Sequence, residues 1–237
     1  MPVFRNATRI AELSARLDRA VSSHSYELLL VDDASPDHAR TVIRSLADED
    51  PRVCGIVLAE NVGQNRAVLA GLAAARGATV AVMDGDLQDP PEALPALLAA
   101  LERSGADAVF AARRGRYETP LRLATGRLLK RTLWVLTRGK VPRDAGLFLV
   151  VRRSVADRMV GAAGSDPYVL VLAARAAESV ATVPVERGPG GASSYTGTMR
   201  RRVARRAIAS ALRLDNGAPS YLVAEHIGRR FSVEEPV

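Results

Sequence analysis

Apolar residues in this chain come in two rhythms. Short apolar runs at 26–31, Val53–Leu58, 78–83 and 107–112 read as strands, the first two of them buried. Between them, apolar positions recur every three or four residues, the spacing of an amphipathic helix. Ile10, Leu13, Leu17 and Val21 share one helical face, with Asn6 or Thr8 as its cap. Val42, Ile43 and Leu46 mark a second helix, and the alanine-rich 65–76 a third, stopped by Gly77. Pro90-Pro91-Glu92 opens a fourth over 90–103, where proline is tolerated in the first turn. Strands alternating with helices in this way predict a parallel sheet covered on both faces.

Beyond Arg113 the rhythm changes. It predicts a long helix over 120–138, a strand over 146–151 and helices over 153–160 and 168–176. A strand over 179–185, a glycine-rich loop at 188–191 and a basic helix over 198–213 follow. From Asp215 no period is strong enough to assign structure. The expected organisation is one α/β domain over 1–214 and a tail over 215–237.

Composition narrows the class. The 237 residues are 48% apolar and 25% charged, the balance of a soluble domain with its own core. A single cysteine, Cys54, leaves no intramolecular disulfide. No apolar run approaches the ~18–20 residues of a spanning helix, and the N-terminus shows no signal-peptide pattern. The expected location is cytoplasmic, or peripheral on the cytoplasmic membrane face.

Charge changes the picture more. Residues 1–99 carry 9 arginines against 14 acids, a net of −5, while residues 100–237 carry 24 Lys+Arg against 12 acids, a net of +12. An acidic half suits a cation, and a basic half suits phosphates, nucleic acid or an anionic membrane. Solvated basic helix faces would look the same. Nucleic acid is disfavoured, because only 4% of residues are aromatic and stacking needs aromatics. Neither G-x-G-x-x-G after a first strand nor G-x-x-x-x-G-K-[ST] occurs, which disfavours a dehydrogenase and a P-loop kinase.

Asp84-Gly85-Asp86 stands out by position rather than by spacing. It follows the apolar run 78–83 directly, so it sits at a strand's carboxyl end, where open α/β sheets place their ligands. Gly85 permits a sharp turn and a close approach. Two carboxylates with the amide of Gln88 make a hard oxygen site suited to Mg²⁺ or Mn²⁺. A plain polar turn is the competing reading.

Three segments, in order, resemble the family 2 glycosyltransferases. They are Val31-Asp32-Asp33-Ala34-Ser35-Pro36-Asp37; Asn61-Val62-Gly63 with Ala67 and Gly71; and Met83-Asp84-Gly85-Asp86-Leu87-Gln88-Asp89-Pro90-Pro91-Glu92. The last looks most like the polyprenyl-phosphate branch, typified by dolichol-phosphate mannose synthase. The resemblance implies a GT-A fold, Rossmann-like, with a mostly parallel central sheet flanked by helices. Its first strand is expected to be truncated, since the Pro2-Val3-Phe4 motif normally follows an apolar strand. By similarity, Pro2, Val3, Phe4, Asp32, Asp33, Asn61 and Asp84 bind a UDP-, GDP- or dTDP-linked sugar. Asp84, Asp86 and Gln88 match the metal and diphosphate site, with Asp86 counted as catalytic. A bound cation neutralises the leaving diphosphate without proton transfer.

The basic half supplies an acceptor surface. Between Arg113 and Arg153 there are 12 basic residues and 2 acids. Arg113, Arg114, Arg127, Arg131, Arg187 and Ser193 are the candidate phosphate ligands. Trp134 lies among basic residues, as in a helix at a membrane interface or one packed against neighbours. Asp144-Ala145-Gly146-Leu147-Phe148 resembles the family's acceptor segment, as does the loop of Arg187, Gly191, Ser193 and Tyr195, where Ser194 replaces the family's lysine. The implied reaction is inverting transfer to a polyprenyl phosphate, whose oxygen needs no base. Transfer to a hydroxyl of a small molecule or glycan would need one, and Asp144 is the candidate. A degenerate, non-catalytic subunit is the remaining alternative.

Overall fold

The computed structural model describes residues 1–114, 129, 131–186, 197–212 and 217–228. Its first half follows the sequence rhythm closely. Strand β1 (Pro2–Val3) leads into helix α1 (Ala7–Ala20), which buries Ala7, Ile10, Leu13 and Leu17. Strand β2 (Leu28–Asp32) and helix α2 (Ala39–Glu49) follow, then β3 (Val53–Leu58) and α3 (Gln64–Ala74). β2 and β3 are buried at every position, as strands covered on both faces must be. Helix α3 buries every residue from Ala67 to Leu72, so it is interior rather than amphipathic.

Strand β4 (Thr79–Val82) ends at the acidic loop, and a short 3-10 turn at Pro91–Ala93 starts helix α4 (Leu94–Ser104). Gly105 closes α4 in the left-handed region at φ 64°. The second half contains β5 (Ala108–Arg114), β6 (Ala145–Arg152), α5 (Arg153–Gly161), α6 (Val169–Ala176), β7 (Val180–Glu186), α7 (Gly197–Leu212) and β8 (Val223–Ile227). Of the helix expected over 120–138, residues 129 and 131–136 are described and helical. No helix among the described residues is long and apolar enough to cross a membrane.

The strands form two four-stranded sheets, ordered β1-β2-β3-β8 and β4-β6-β5-β7. The pairing is mixed rather than mostly parallel. β1/β2, β2/β3 and β5/β7 run parallel. β3/β8, β4/β6 and β5/β6 run antiparallel. The first strand is short, as expected, with Pro2 and Val3 paired to Val31 and Asp32. The tail departs from expectation, because Val223–Ile227 adds a strand along β3. Two large apolar clusters divide the core, one around β2, α1, α2 and α4, the other around β5, β6, α5 and α6.

Gly55 in β3 marks where β8 and α2 crowd the sheet. A Cβ there would lie 2.5 Å from Ile43 Cγ2 and 3.1 Å from Ile227 Cβ, both close to the backbone and unable to swing away. Gly55→Ala should therefore destabilise the chain by about 1–3 kcal/mol, measured by urea unfolding. An unchanged midpoint would mean that β8 is not seated on β3.

Candidate active site

Parallel pairing brings the exits of β1, β2 and β3 to one end of their sheet. The buried carboxylate of Asp33 ties two of those exits together. Its Oδ1 accepts the Val62 N–H at 2.7 Å, and its Oδ2 accepts the Gly63 N–H at 2.9 Å and Asn61 Nδ2 at 3.1 Å. Asn61 also donates to the Asp33 carbonyl at 3.0 Å. Burial pushes the Asp33 carboxyl above the ordinary carboxylate range, while the Val62 and Gly63 N–H groups oppose that shift.

Asp32, only 2% exposed, accepts one backbone N–H, from Ser35 at 2.8 Å. Burial raises its carboxyl above the usual range too; the Ser35 N–H opposes the rise and nearby Asp37 adds to it. Asp37 holds the turn from below. Its carboxylate accepts the Ala7 N–H at 3.0 Å and the Ala39 N–H at 3.2 Å, so one side chain serves the first turns of both α1 and α2. Burial pushes Asp37 up, but hydrogen bonds from Ser35, Ala7 and Ala39 outweigh it and leave the carboxyl below its ordinary value.

A cleft of about 430 Å³ opens above this turn, lined by Asp32, Ala34, His38, Arg40, Leu58 and Ala224 among others. Ala224 comes from β8. Its neighbour Glu225 pairs with both Arg40 and Arg44 of α2, which holds the strand against the cleft. The acidic loop is fastened alongside. Asn6 Nδ2 donates to the Gly85 carbonyl at 2.8 Å, and Arg9 donates to the Asp86 carbonyl. A Cβ on Gly85 would push aside the Asn6 amide that holds this loop and lie 3.2 Å from the Pro2 carbonyl, so the loop approaches β1 closely here.

Within that loop Asp86 Oδ1 accepts the Gln88 N–H at 3.0 Å, and Gln64 Nε2 donates to Asp84 Oδ1 at 2.5 Å. Among the described residues no three His, Cys, Asp or Glu side chains gather as a self-sufficient cage. Two carboxylates and an amide still fit Mg²⁺ or Mn²⁺, which are commonly held by one or two carboxylates together with substrate phosphates. Backbone strain marks the same region. Among the described residues four non-glycine positions have positive φ, and Arg5 (54°), Ala34 (49°) and Leu87 (59°) sit in the loops after β1, β2 and β4.

The acceptor-side candidates are partly described. β6 runs antiparallel to β4 and β5, so exposed Asp144, just before β6, lies at the end where β4 and β5 exit. The backbone of Arg113 and Arg114 ends β5 opposite Val185 and Glu186. Arg131 is exposed, and Arg143 stacks over the half-exposed Trp134 ring at 4.7 Å. Arg127, Arg187 and Ser193 lie outside the described residues. Pro2 and Val3 are buried in β1, whereas Phe4 is 41% exposed beneath Arg5. Sequence reading gave no site role to Asn6, Asp37, Gln64 or Ala224; Asp37 closes the first family segment, and the other three lie outside the quoted segments.

Loops gathered at the strand exits of an α/β fold are where such sheets place their ligands. Residues 1–160 match the model described as Glycosyl transferase family 2, and the chain belongs to that family. It is 34% identical over 197 residues to the undecaprenyl-phosphate 4-deoxy-4-formamido-L-arabinose transferase of Shewanella sediminis, covering 80% of this chain and 59% of that protein. The namesake from Enterobacter sp. is 32% identical over 189 residues, 78% of this chain and 57% of that one. The chain thus spans less than two thirds of the length of these relatives.

Among solved structures, glucosyl-3-phosphoglycerate synthase from Mycobacterium tuberculosis, in complex with Mn²⁺ and UDP-glucose, superposes with a TM-score of 0.66 at 19% identity. That match covers 92% of this chain and 78% of the synthase. The mannosyltransferase PcManGT from Pyrobaculum calidifontis, in complex with GDP-Man and Mn²⁺, gives 0.59 at 22% identity, covering 92% and 64%. These neighbours show the fold to be GT-A, as the sequence motifs implied.

Asp32→Asn separates folding from binding, because it keeps an oxygen for the Ser35 N–H. The folded pKa of Asp32 lies above its unfolded value, so its stabilising share is full below about pH 3.9 and is lost as pH rises through the folded value. The variant should melt about 2–4 °C higher than the parent at pH 7, with the gain shrinking toward acid. A lower melting temperature at pH 7 would contradict the burial argument.

Proposed function

We propose that this chain is an inverting glycosyltransferase that moves a sugar from a nucleotide-sugar donor to a polyprenyl phosphate. The observation that carries the proposal is the convergence of Asp32, the Asn61–Gly63 turn and Asp84-Gly85-Asp86 at strand exits that are hydrogen-bonded together. The cleft between β2, β3 and β8 takes the nucleoside, with buried Asp32 as an acceptor for a base or ribose. Asp84, Asp86 and Gln88 hold Mg²⁺ or Mn²⁺, which would neutralise charge on the leaving diphosphate. A phosphate oxygen of the acceptor attacks the anomeric carbon as the bond to the diphosphate breaks on the opposite face.

Polyprenyl phosphate is favoured as acceptor by the relatives named for undecaprenyl phosphate and by the +12 charge of residues 100–237. Exposed Trp134 and Val135 beside Arg131 and Arg143 support a peripheral seat on an anionic membrane. The exposed Asp144 at the same sheet end supports a second reading, transfer to a hydroxyl with Asp144 as base.

Thermal shift with UDP-, GDP- and dTDP-sugars should show stabilisation by one of them only when Mn²⁺ is present, and Asp86→Ala should abolish it. About 2.7 kcal/mol is expected at a hundred-fold excess over Kd. No stabilisation by any donor would favour a non-catalytic subunit. Asp144→Asn should leave transfer to polyprenyl phosphate largely intact and reduce transfer to a hydroxyl by about 10²-fold or more. Equal small losses in radiolabelled-sugar assays of both acceptors would remove Asp144 from the base role.

A further inference from the structure

The first turn of α3 is anchored on both sides of one residue that no motif singles out. Before Gln64, the Val62 and Gly63 N–H groups are held by buried Asp33. After it, Asn65 Oδ1 accepts the Val169 N–H at 2.9 Å, at the start of α6. Arg66 donates through Nε and Nη2 to the Ser165 carbonyl, at 3.1 and 2.6 Å, and through Nη1 to the Val62 carbonyl at 3.3 Å. The backbone under Gln64 is therefore fixed to β2 on one side and to the α5–α6 loop on the other. From that base, Gln64 Nε2 reaches Asp84 Oδ1.

We propose that Gln64 is a positioning residue for the metal site, selecting the Asp84 rotamer by donating a hydrogen bond to one carboxylate oxygen. The inference rests on the reading of Asp84 as a ligand. Its physical basis is pre-organisation. A short carboxylate at a strand exit samples several χ1 wells, and a fixed donor on one oxygen selects among them before the cation arrives. The donor is also neutral. Lysine or arginine at position 64 would orient the carboxylate equally well but place a positive charge beside the divalent cation. Glutamine orients without competing.

The test is Mn²⁺ affinity, read from the electron paramagnetic resonance signal of free Mn²⁺, in the presence of saturating UDP or GDP. Gln64→Ala should weaken Mn²⁺ binding by about 10–100-fold. Its melting temperature in EDTA should match that of the parent, which a merely structural role would not allow. If Gln64 acts through Asp84, then adding Gln64→Ala to Asp84→Asn should cost nothing further. Unchanged Mn²⁺ affinity in Gln64→Ala, or an equal loss in both backgrounds, would overturn the inference and leave the proposed function standing. Failure of the unmodified chain to bind Mn²⁺ with either nucleotide would overturn the proposed function, and this inference with it.

Discussion

The site depends on one buried carboxylate. Asp33 directly follows β2 and is shut away from water, and the cost of enclosing a charge there is offset by N–H groups aimed at it. Those donors come from Asn61, Val62 and Gly63, a turn nearly thirty residues away in sequence. The bond set fixes how the chain leaves β3 and where α3 begins. From that starting point Gln64 meets Asp84, Asn65 meets Val169 and Arg66 meets Ser165. A single hydrogen-bonded acid thus sets the relative position of the cleft, the acidic loop and the neighbouring helices. Asp32, one residue earlier and equally buried, accepts a single backbone N–H and lines the cleft instead. Adjacent and chemically identical side chains divide between building the site and facing its occupant.

The second half solves a different problem. A β6 strand running against β4 and β5 carries its entry to the end where those strands exit. Asp144 therefore arrives at the same rim as the acidic loop, although some sixty residues separate them in sequence. Among the described residues, the loops at that rim hold Arg5, Ala34 and Leu87 in left-handed backbone without the relief of glycine. Each costs about 1–2 kcal/mol relative to an unstrained turn, tolerable where the surrounding bonds leave no alternative. Asn6 and Arg9, gripping the backbone of Gly85 and Asp86, are part of that restraint.

Much of this was legible because local signals agreed with the global fold. Val53–Leu58 read correctly because a continuous apolar run sits between turn residues. The α1 stripe read correctly because Ile10, Leu13 and Leu17 have only one way to be buried together. Strand direction was not legible, since nothing in the run 146–151 encodes that β6 returns against its neighbours. β8 escaped for a related reason. Val223–Ile227 has five residues, two of them ionisable, and its reason to be a strand is the open edge of β3. Within the site, Asp84-Gly85-Asp86 was recognisable by its place after a strand. The supporting roles of Asn6, Asp37 and Gln64 were not, because a hydrogen bond across 79 residues, such as that of Asn6, leaves no local trace.

The seating of β8 has a consequence for the order of assembly. Arg40 and Glu225, which close the strand over the cleft, lie 185 residues apart in the chain. Joining them requires closing one of the longest loops in the molecule, an entropic cost met only after the intervening sheet exists to receive the strand. On the ribosome, β2 and α2 emerge early and wait, with one wall of their pocket still unsynthesised. A nascent chain of this kind carries its acidic loop long before the neighbouring cleft has all its walls. The closed cleft is then a property of the finished fold, acquired late, and not of the motif-bearing half alone.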